Sequence, residues 1–172
     1  MNANVSNVAL YQLSYDKMKT YLVASLFVVG NILLPQLCHI VPQGGLIILP
    51  IYFFTLVGAY KYGFTVGLAT AFLSPLLNNV LFGMPPTSML PIILVKSSLL
   101  ALSAAWIAHR TQRVTLLNVA FAVLAYQAVG TLVEWGMTGS FQQAFQDITL
   151  GWPGIAIQIV GGYLILRYLM KK

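Results

Sequence analysis

The chain has 172 residues, 59% hydrophobic and 7% charged, with a formal net charge of +6 and a mean hydropathy of +0.83. A soluble domain carries about 25% charged residues, so so few charges cannot cover a surface in water, and lipid is the predicted solvent for most of the chain. The nine Lys and Arg residues stand singly or in pairs between apolar runs, which fits membrane topology better than nucleic-acid binding. The single Cys38 excludes an internal disulfide and is too little for a structural metal site.

Residues 1–20 read as a cytoplasmic N-terminal arm ending in Asp16, Lys17 and Lys19. Asn4-Val5-Ser6 fits a glycosylation sequon by chance, on a segment placed inside. The first apolar run, Tyr21 to about Cys38, has the flanking charge of a signal peptide, but no small-residue cleavage site follows. It reads as a retained first span. After the turn His39–Gly45, a second span runs from about Leu46 to Tyr60, with Pro50 near its start. Lys61-Tyr62-Gly63 closes it. The third covers about Phe64 to Phe82, followed by the turn Gly83-Met84-Pro85-Pro86-Thr87. The fourth covers about Ser88 to Ala108, with Pro91 in its first turn, where a missing N–H costs little. The fifth covers about Val114 to Met137. A polar-aromatic stretch, Thr138 to Leu150, precedes a sixth at about Trp152 to Leu169. The predicted fold is an all-α membrane protein, with a compact bundle of six transmembrane helices filling residues 21–172.

Charge tests that count. Basic residues lie before span one, between two and three, between four and five, and after six, and the other connections contain none. Cytoplasmic loops carry the Lys/Arg excess, so both termini are expected inside. Lys96 alone breaks the alternation, because it lies within a span. Tyr21, Tyr60, Tyr62, Phe64 and Tyr168 fall near the inner boundary, and Phe82, Trp135 and Trp152 near the outer one, as interfacial aromatic belts do.

The strongly polar side chains inside spans crowd the outer half. At 1.5 Å per residue, Asn78 and Asn79 lie within roughly 6 Å of the outer end of span three, Lys96 roughly 12 Å below that of span four, and Gln158 roughly 9 Å below that of span six. Glu134 sits near the outer end of span five and Gln127 roughly 15 Å down. Gln127, Thr131 and Glu134 share one helical face, as do Ser74 and Asn78. Pro75 removes a donor and predicts a kink just below the asparagines. Asn78, Asn79, Lys96, Gln127, Glu134 and Gln158 are therefore the candidate substrate-binding residues. Two blander roles stand beside this one. Asn31, Gln36 and Gln127 would serve as interhelical glue, and Lys96 would pair with Glu134. An intramembrane charge, at about 2.5–3.5 kcal/mol on insertion scales, is expensive enough to expect a functional role. His39 beside Cys38 reads as an interfacial histidine and a buried thiol rather than a metal pair.

Gly63, Gly67, Ala71 and Pro75 form a ladder of small residues on span three, matched by Ser97, Ala101, Ala105 and Ala108 on span four. Such rows let helices approach closely. In the stretch 138–150, Phe141, Ala144, Phe145 and Ile148 have helical spacing, predicting a short amphipathic helix on the outer surface that could act as a lid. There is no phosphate-binding loop, no H-E-x-x-H and no Ser/His/Asp set at one depth. The expectation is a binding protein without catalytic residues, metal or cofactor, energised by a separate partner.

Tyr60-Lys61-Tyr62-Gly63-Phe64-Thr65-Val66-Gly67 through Leu73-Ser74-Pro75, followed by Phe82-Gly83-Met84-Pro85, resembles the span-three region of the substrate-binding (S) components of energy-coupling-factor vitamin transporters. Size, six spans and inside termini are similar too. The resemblance implies a pocket open to the outer face, a membrane coupling subunit to dock on, two ATPase subunits to drive it, and toppling in the membrane to release the solute. It also implies a docking motif, Ala-x-x-x-Ala, in the first span. This chain departs from that motif: Ala24 is followed four residues later by Val28, and only Thr20 with Ala24 gives a small-x-x-x-small pair. Lys96 as the sole outer-half cation suggests a vitamin bearing a carboxylate; pairing with Glu134 would make a neutral or cationic solute equally expected. Two alternatives are a six-span scaffold of cell-wall synthesis that binds proteins, and a self-sufficient small carrier. The bacterial cytoplasmic membrane is the expected location in each case.

Overall fold

The computed structural model describes residues 13, 14 and 16–170, and no strand occurs among them. The sequon at Asn4, most of the N-terminal arm, Lys171 and Lys172 lie outside the described residues. Nine helices follow one another among those described: α1 (Met18–Cys38), α2 (Gly44–Ile48), α3 (Phe53–Tyr62), α4 (Phe64–Phe82), α5 (Leu90–Thr111), α6 (Leu116–Thr138), α7 (Phe141–Ala144), α8 (Gln146–Thr149) and α9 (Trp152–Leu169), with a 3-10 turn at Pro50–Tyr52. Four of them, α1, α4, α5 and α6, are long and apolar enough to cross a membrane. Leu22, Leu26, Leu33, Leu117, Phe121 and Leu132 on α1 and α6 point outward and are mostly exposed. An apolar coat of this extent is not what a water-soluble monomer presents.

The predicted second span is not one helix. Leu49 takes a left-handed backbone conformation (φ 50°, ψ 47°) and separates α2 from the turn that leads into α3. Proline drives the residue before it out of the right-handed helical region, and Pro50 has no N–H to carry the ladder on. The 10 residues of α3 rise only about 15 Å, half of a hydrocarbon core. α4, by contrast, continues through Pro75 from Phe64 to Phe82.

α3 is the axis of the bundle. Thr55, Leu56, Val57 and Ala59 are fully buried, and α1, α4, α5 and α9 pack around them. A helix that is apolar on every side belongs inside. α4 comes close to α3 at Gly67, where a Cβ would stand 2.4 Å from the Cβ of Ala59 and 3.3 Å from that of Ala101. Gly67 and Ala71 on α4, with Ser97, Ala101 and Ala108 on α5, are all buried, so these rows of small residues join three helices.

The start of α3 is fastened by a neighbour. Its first N–H groups have no acceptor within the helix. Asn31 of α1 supplies one, its Oδ1 accepting from the Phe54 N–H at 3.1 Å while its Nδ2 donates to Thr55 Oγ1 at 3.1 Å. Pro35, four residues on, lacks the donor that would bond the Asn31 carbonyl. Asn78 Nδ2 donates to that carbonyl instead, at 2.9 Å. Asn31→Ala strands the Phe54 N–H and the Thr55 hydroxyl inside the bundle. It is expected to lower stability by about 1–3 kcal/mol, measured by denaturant titration in mixed micelles.

Both ends of the described chain meet at one end of the bundle. The Leu13 N–H donates to the Tyr62 carbonyl at 3.2 Å. Lys61 Nζ donates to the carbonyl of Leu169, where a cation complements the C-terminal helix dipole of α9. Tyr60 Oη donates to the Arg113 carbonyl at 2.7 Å, which brings the α5–α6 turn to the same end. There Thr115 caps α6, its Oγ1 accepting from the Asn118 N–H at 3.1 Å. The opposite end is covered by α7 and α8.

Candidate functional site

On α6, Gln127, Gly130, Thr131 and Glu134 recur at helical spacing and are all buried. Lys96 of α5 crosses this face. A Cβ at Gly130 would stand 2.9 Å from Lys96 Cγ, so the absent side chain lets the lysine stem lie against α6. Lys96 is only 1% exposed. Its ammonium contacts the Glu134 carboxylate and Asp147 Oδ2, the latter at 2.7 Å. One cation thus holds two anions, about 9 Å below the start of α5.

Asp147 was not among the residues expected at the site. The segment that supplies it is not the single amphipathic helix predicted but two short turns, α7 and α8, with a pivot at Phe145. Ser140 begins the first turn, its Oγ accepting from the Gln143 N–H at 3.3 Å. Of the four apolar residues at helical spacing, Ala144 alone is fully buried. Phe141 instead stacks on Phe145 with centroids 4.2 Å apart and meets Trp135 edge-on at 5.6 Å. Past the pivot, Asp147 turns inward three residues beyond Ala144. The sequence did hold a signal: Asp147 is one of only three acids in the chain, one helical turn from the most deeply placed residue of the covering segment.

A second set of polar groups adjoins the ion pairs on α6. Tyr126 Oη donates to Gln158 Oε1 of α9 at 3.0 Å and accepts from Gln127 Nε2 at 3.1 Å. The Tyr52 ring packs beside Tyr126 with centroids 5.5 Å apart. Gln158 reaches the core because α9 starts hard against α2: a Cβ on Gly154 would stand 2.4 Å from the carbonyl oxygen of Ile48. Among the described residues, and apart from Glu134 Oε2, which the Lys96 ammonium contacts, four buried side-chain polar atoms have no hydrogen-bond partner: Gln127 Oε1, Thr131 Oγ1, Gln158 Nε2 and Ser97 Oγ. A buried polar group left unpaired costs about 1–3 kcal/mol, and native proteins keep few of them. Gln127 and Thr131 lie on the same face of α6 as Glu134, Gln158 is joined to Gln127 through the Tyr126 hydroxyl, and Ser97 follows Lys96 in sequence. Together they offer an acceptor, an amide donor and two hydroxyls to a polar molecule.

No family model, curated protein or solved structure matches the chain. The functional assignment therefore rests on this geometry.

The structure brings Lys96, Gln127, Glu134 and Gln158 together and sets Asn78 and Asn79 elsewhere. Asn78 is satisfied by the scaffold, with Nδ2 donating to the Asn31 and Ser74 carbonyls and Oδ1 accepting from Gln36 Nε2 at 3.3 Å. Asn79 Nδ2 donates to the Pro85 carbonyl at 2.7 Å and so holds the turn after α4, where the Met84–Pro85 bond is cis. Thr20 and Ala24 are also turned inward. Both are buried, and Thr20 Oγ1 donates to the Ser14 carbonyl at 2.6 Å, so neither presents a free face to a partner. Among the described residues no three His, Cys, Asp or Glu side chains gather in a way that would hold a metal. Two clefts lie away from the ion pairs. One of about 470 Å³, at the end where the described termini meet, is lined by Ser14, Gly63, Thr65, Trp106 and His109 among others. The other, of about 540 Å³, lies on the covering segment, along Ser140, Gln143, Gln146 and Thr149.

Proposed function

We propose that this chain is a membrane-embedded solute-binding protein, the substrate-binding component of an energy-coupling-factor vitamin transporter in the bacterial cytoplasmic membrane. The observation that carries the proposal is the group of unpartnered polar atoms, Gln127 Oε1, Thr131 Oγ1 and Gln158 Nε2, on and beside the α6 face that presents Glu134 to the buried Lys96 and Asp147. A bundle built only for stability has no use for several unsatisfied polar groups beside paired charges.

In this assignment the chain passes the membrane six times, through α1, α2 with α3, α4, α5, α6 and α9, and both termini are cytoplasmic. The alternation of Lys and Arg supports that orientation. A broken second pass is tolerated because α3 is enclosed by protein, where irregular backbone is allowed at depth. α7 and α8 then cover the site from outside, and Asp147 ties the cover to Lys96. The protein's own work is capture and release. Energy comes from two ATPase subunits acting through a membrane coupling subunit.

The proposal is tested by thermal unfolding of the purified protein against a panel of water-soluble vitamins. A ligand at a hundredfold excess over its Kd stabilises its binder by about 2.7 kcal/mol, so one vitamin is expected to raise the midpoint clearly. A flat response to the whole panel, together with co-purifying wall-synthesis proteins, would favour the scaffold function instead.

A further inference from the structure

The geometry points to a cationic nitrogen on the solute, held by Glu134 and Asp147 beside the Tyr52–Tyr126 pair, with an adjoining acceptor atom met by Gln158. This rests on the solute-binding assignment above and narrows its substrate class. The lone cation Lys96 is already in contact with both carboxylates, so it is not a free receptor for an acid. With both carboxylates ionised the three charges sum to −1, since one ammonium faces two carboxylates. In a site that excludes water an unbalanced charge is expensive. A carboxylate-bearing solute would raise the surplus to −2 and would have to displace Glu134 or Asp147 from Lys96. A monocation brings it to zero and leaves both ion pairs standing.

Four neighbours fit the same chemistry. Tyr52 and Tyr126 are almost fully buried with rings beside each other at 5.5 Å, and Tyr126 is bonded to Gln127 on the Glu134 face of α6. Aromatic faces attract cations most where water is excluded. Gln127 Oε1 is an unpartnered acceptor, suited to an N–H of the solute, and Gln158 Nε2 is an unpartnered donor, suited to an oxygen or ring nitrogen. The Tyr126 hydroxyl holds the other half of each amide, which fixes the orientation in which the unpaired atom is presented.

Benzylammonium, benzyl alcohol and benzoate are close in shape and differ in charge, so they separate the possibilities. Binding of each at millimolar concentration is measured calorimetrically on the purified protein, after any co-purified solute has been removed. Benzylammonium is expected to bind at least about tenfold more tightly than benzoate, and Asp147→Asn and Glu134→Gln are each expected to remove most of that preference. The unliganded melting midpoint of each variant shows whether it has folded, and two variants guard against one failing. Equal or tighter binding of benzoate or benzyl alcohol overturns the cation selectivity and leaves the solute-binding assignment intact. Binding of none of the three also overturns it. The vitamin panel then decides the broader assignment separately.

Discussion

Lys96→Met is expected to be the most damaging single substitution in the polar core, lowering stability by about 3–5 kcal/mol. Methionine has nearly the length of lysine and still fits against Gly130, so the loss is one of charge rather than of volume. The wild-type ammonium neutralises two carboxylates at once. Without it, Glu134 and Asp147 face each other with no counter-charge, and Asp147 has nothing to hold α8 over the site. The triple variant Lys96→Met/Glu134→Gln/Asp147→Asn removes all the charges together and is expected to recover most of the stability, because a buried charge cluster replaced as a unit is often neutral or better. It should fold and yet fail to bind solute. Denaturant titration of the two variants in mixed micelles checks the pair of outcomes. A Lys96→Met loss below about 1 kcal/mol would mean that the cluster is reached by water and screened like a surface pair.

Gly67→Leu is expected to be comparably severe for a different reason. Even the first carbon of a side chain would stand 2.4 Å from Ala59 Cβ and 2.8 Å from Ala59 Cα, whereas carbon atoms rest at about 3.5–4.0 Å. The obstacle is backbone and Cβ, with no flexible chain end to swing away, so α4 must move off α3 by about 1 Å. Overpacking of this kind costs about 1–3 kcal/mol, occasionally more. Leucine adds three further carbons at the crossing, and the expected result is failure to accumulate in the membrane. Gly67→Ala should be intermediate. Gly136→Ala is the control, since a Cβ there meets nothing within 4 Å. Folded yield by detergent gel filtration gives the order Gly136→Ala, Gly67→Ala, Gly67→Leu.

The apolar runs and their turn residues made most of the helices legible in the sequence. α4 has the predicted bounds, and α1, α5, α6 and α9 end within three residues of the predicted ones. The second run was legible only as a run. Its break depends on Leu49 turning left-handed before Pro50, a local choice that hydrophobicity does not register. At the site, Lys96, Gln127, Glu134 and Gln158 were found by depth, since polar residues at one level in a bundle tend to meet. Depth does not say which neighbour a side chain faces, and this is where Asn78 and Asn79 part from the others. Asn78 turns towards α1, where Pro35 has freed a carbonyl, and Asn79 towards the turn after its own helix. Asp147 was hidden by the pivot at Phe145. Helical spacing through residues 141–148 draws attention to the aromatic residues, whereas the buried position is Ala144, and Asp147 lies one helical turn beyond it.

In the proposed function the unpartnered atoms near Lys96, Glu134 and Asp147 hold a small molecule. Mass spectrometry of the small molecules released from protein purified directly out of membranes tests it most plainly. One water-soluble solute, near stoichiometric in the wild type and missing from the folded triple variant, is the predicted result. Wild-type protein that is folded, pure and free of any solute absent from the triple variant, and that gains no stability from added vitamins, would contradict it.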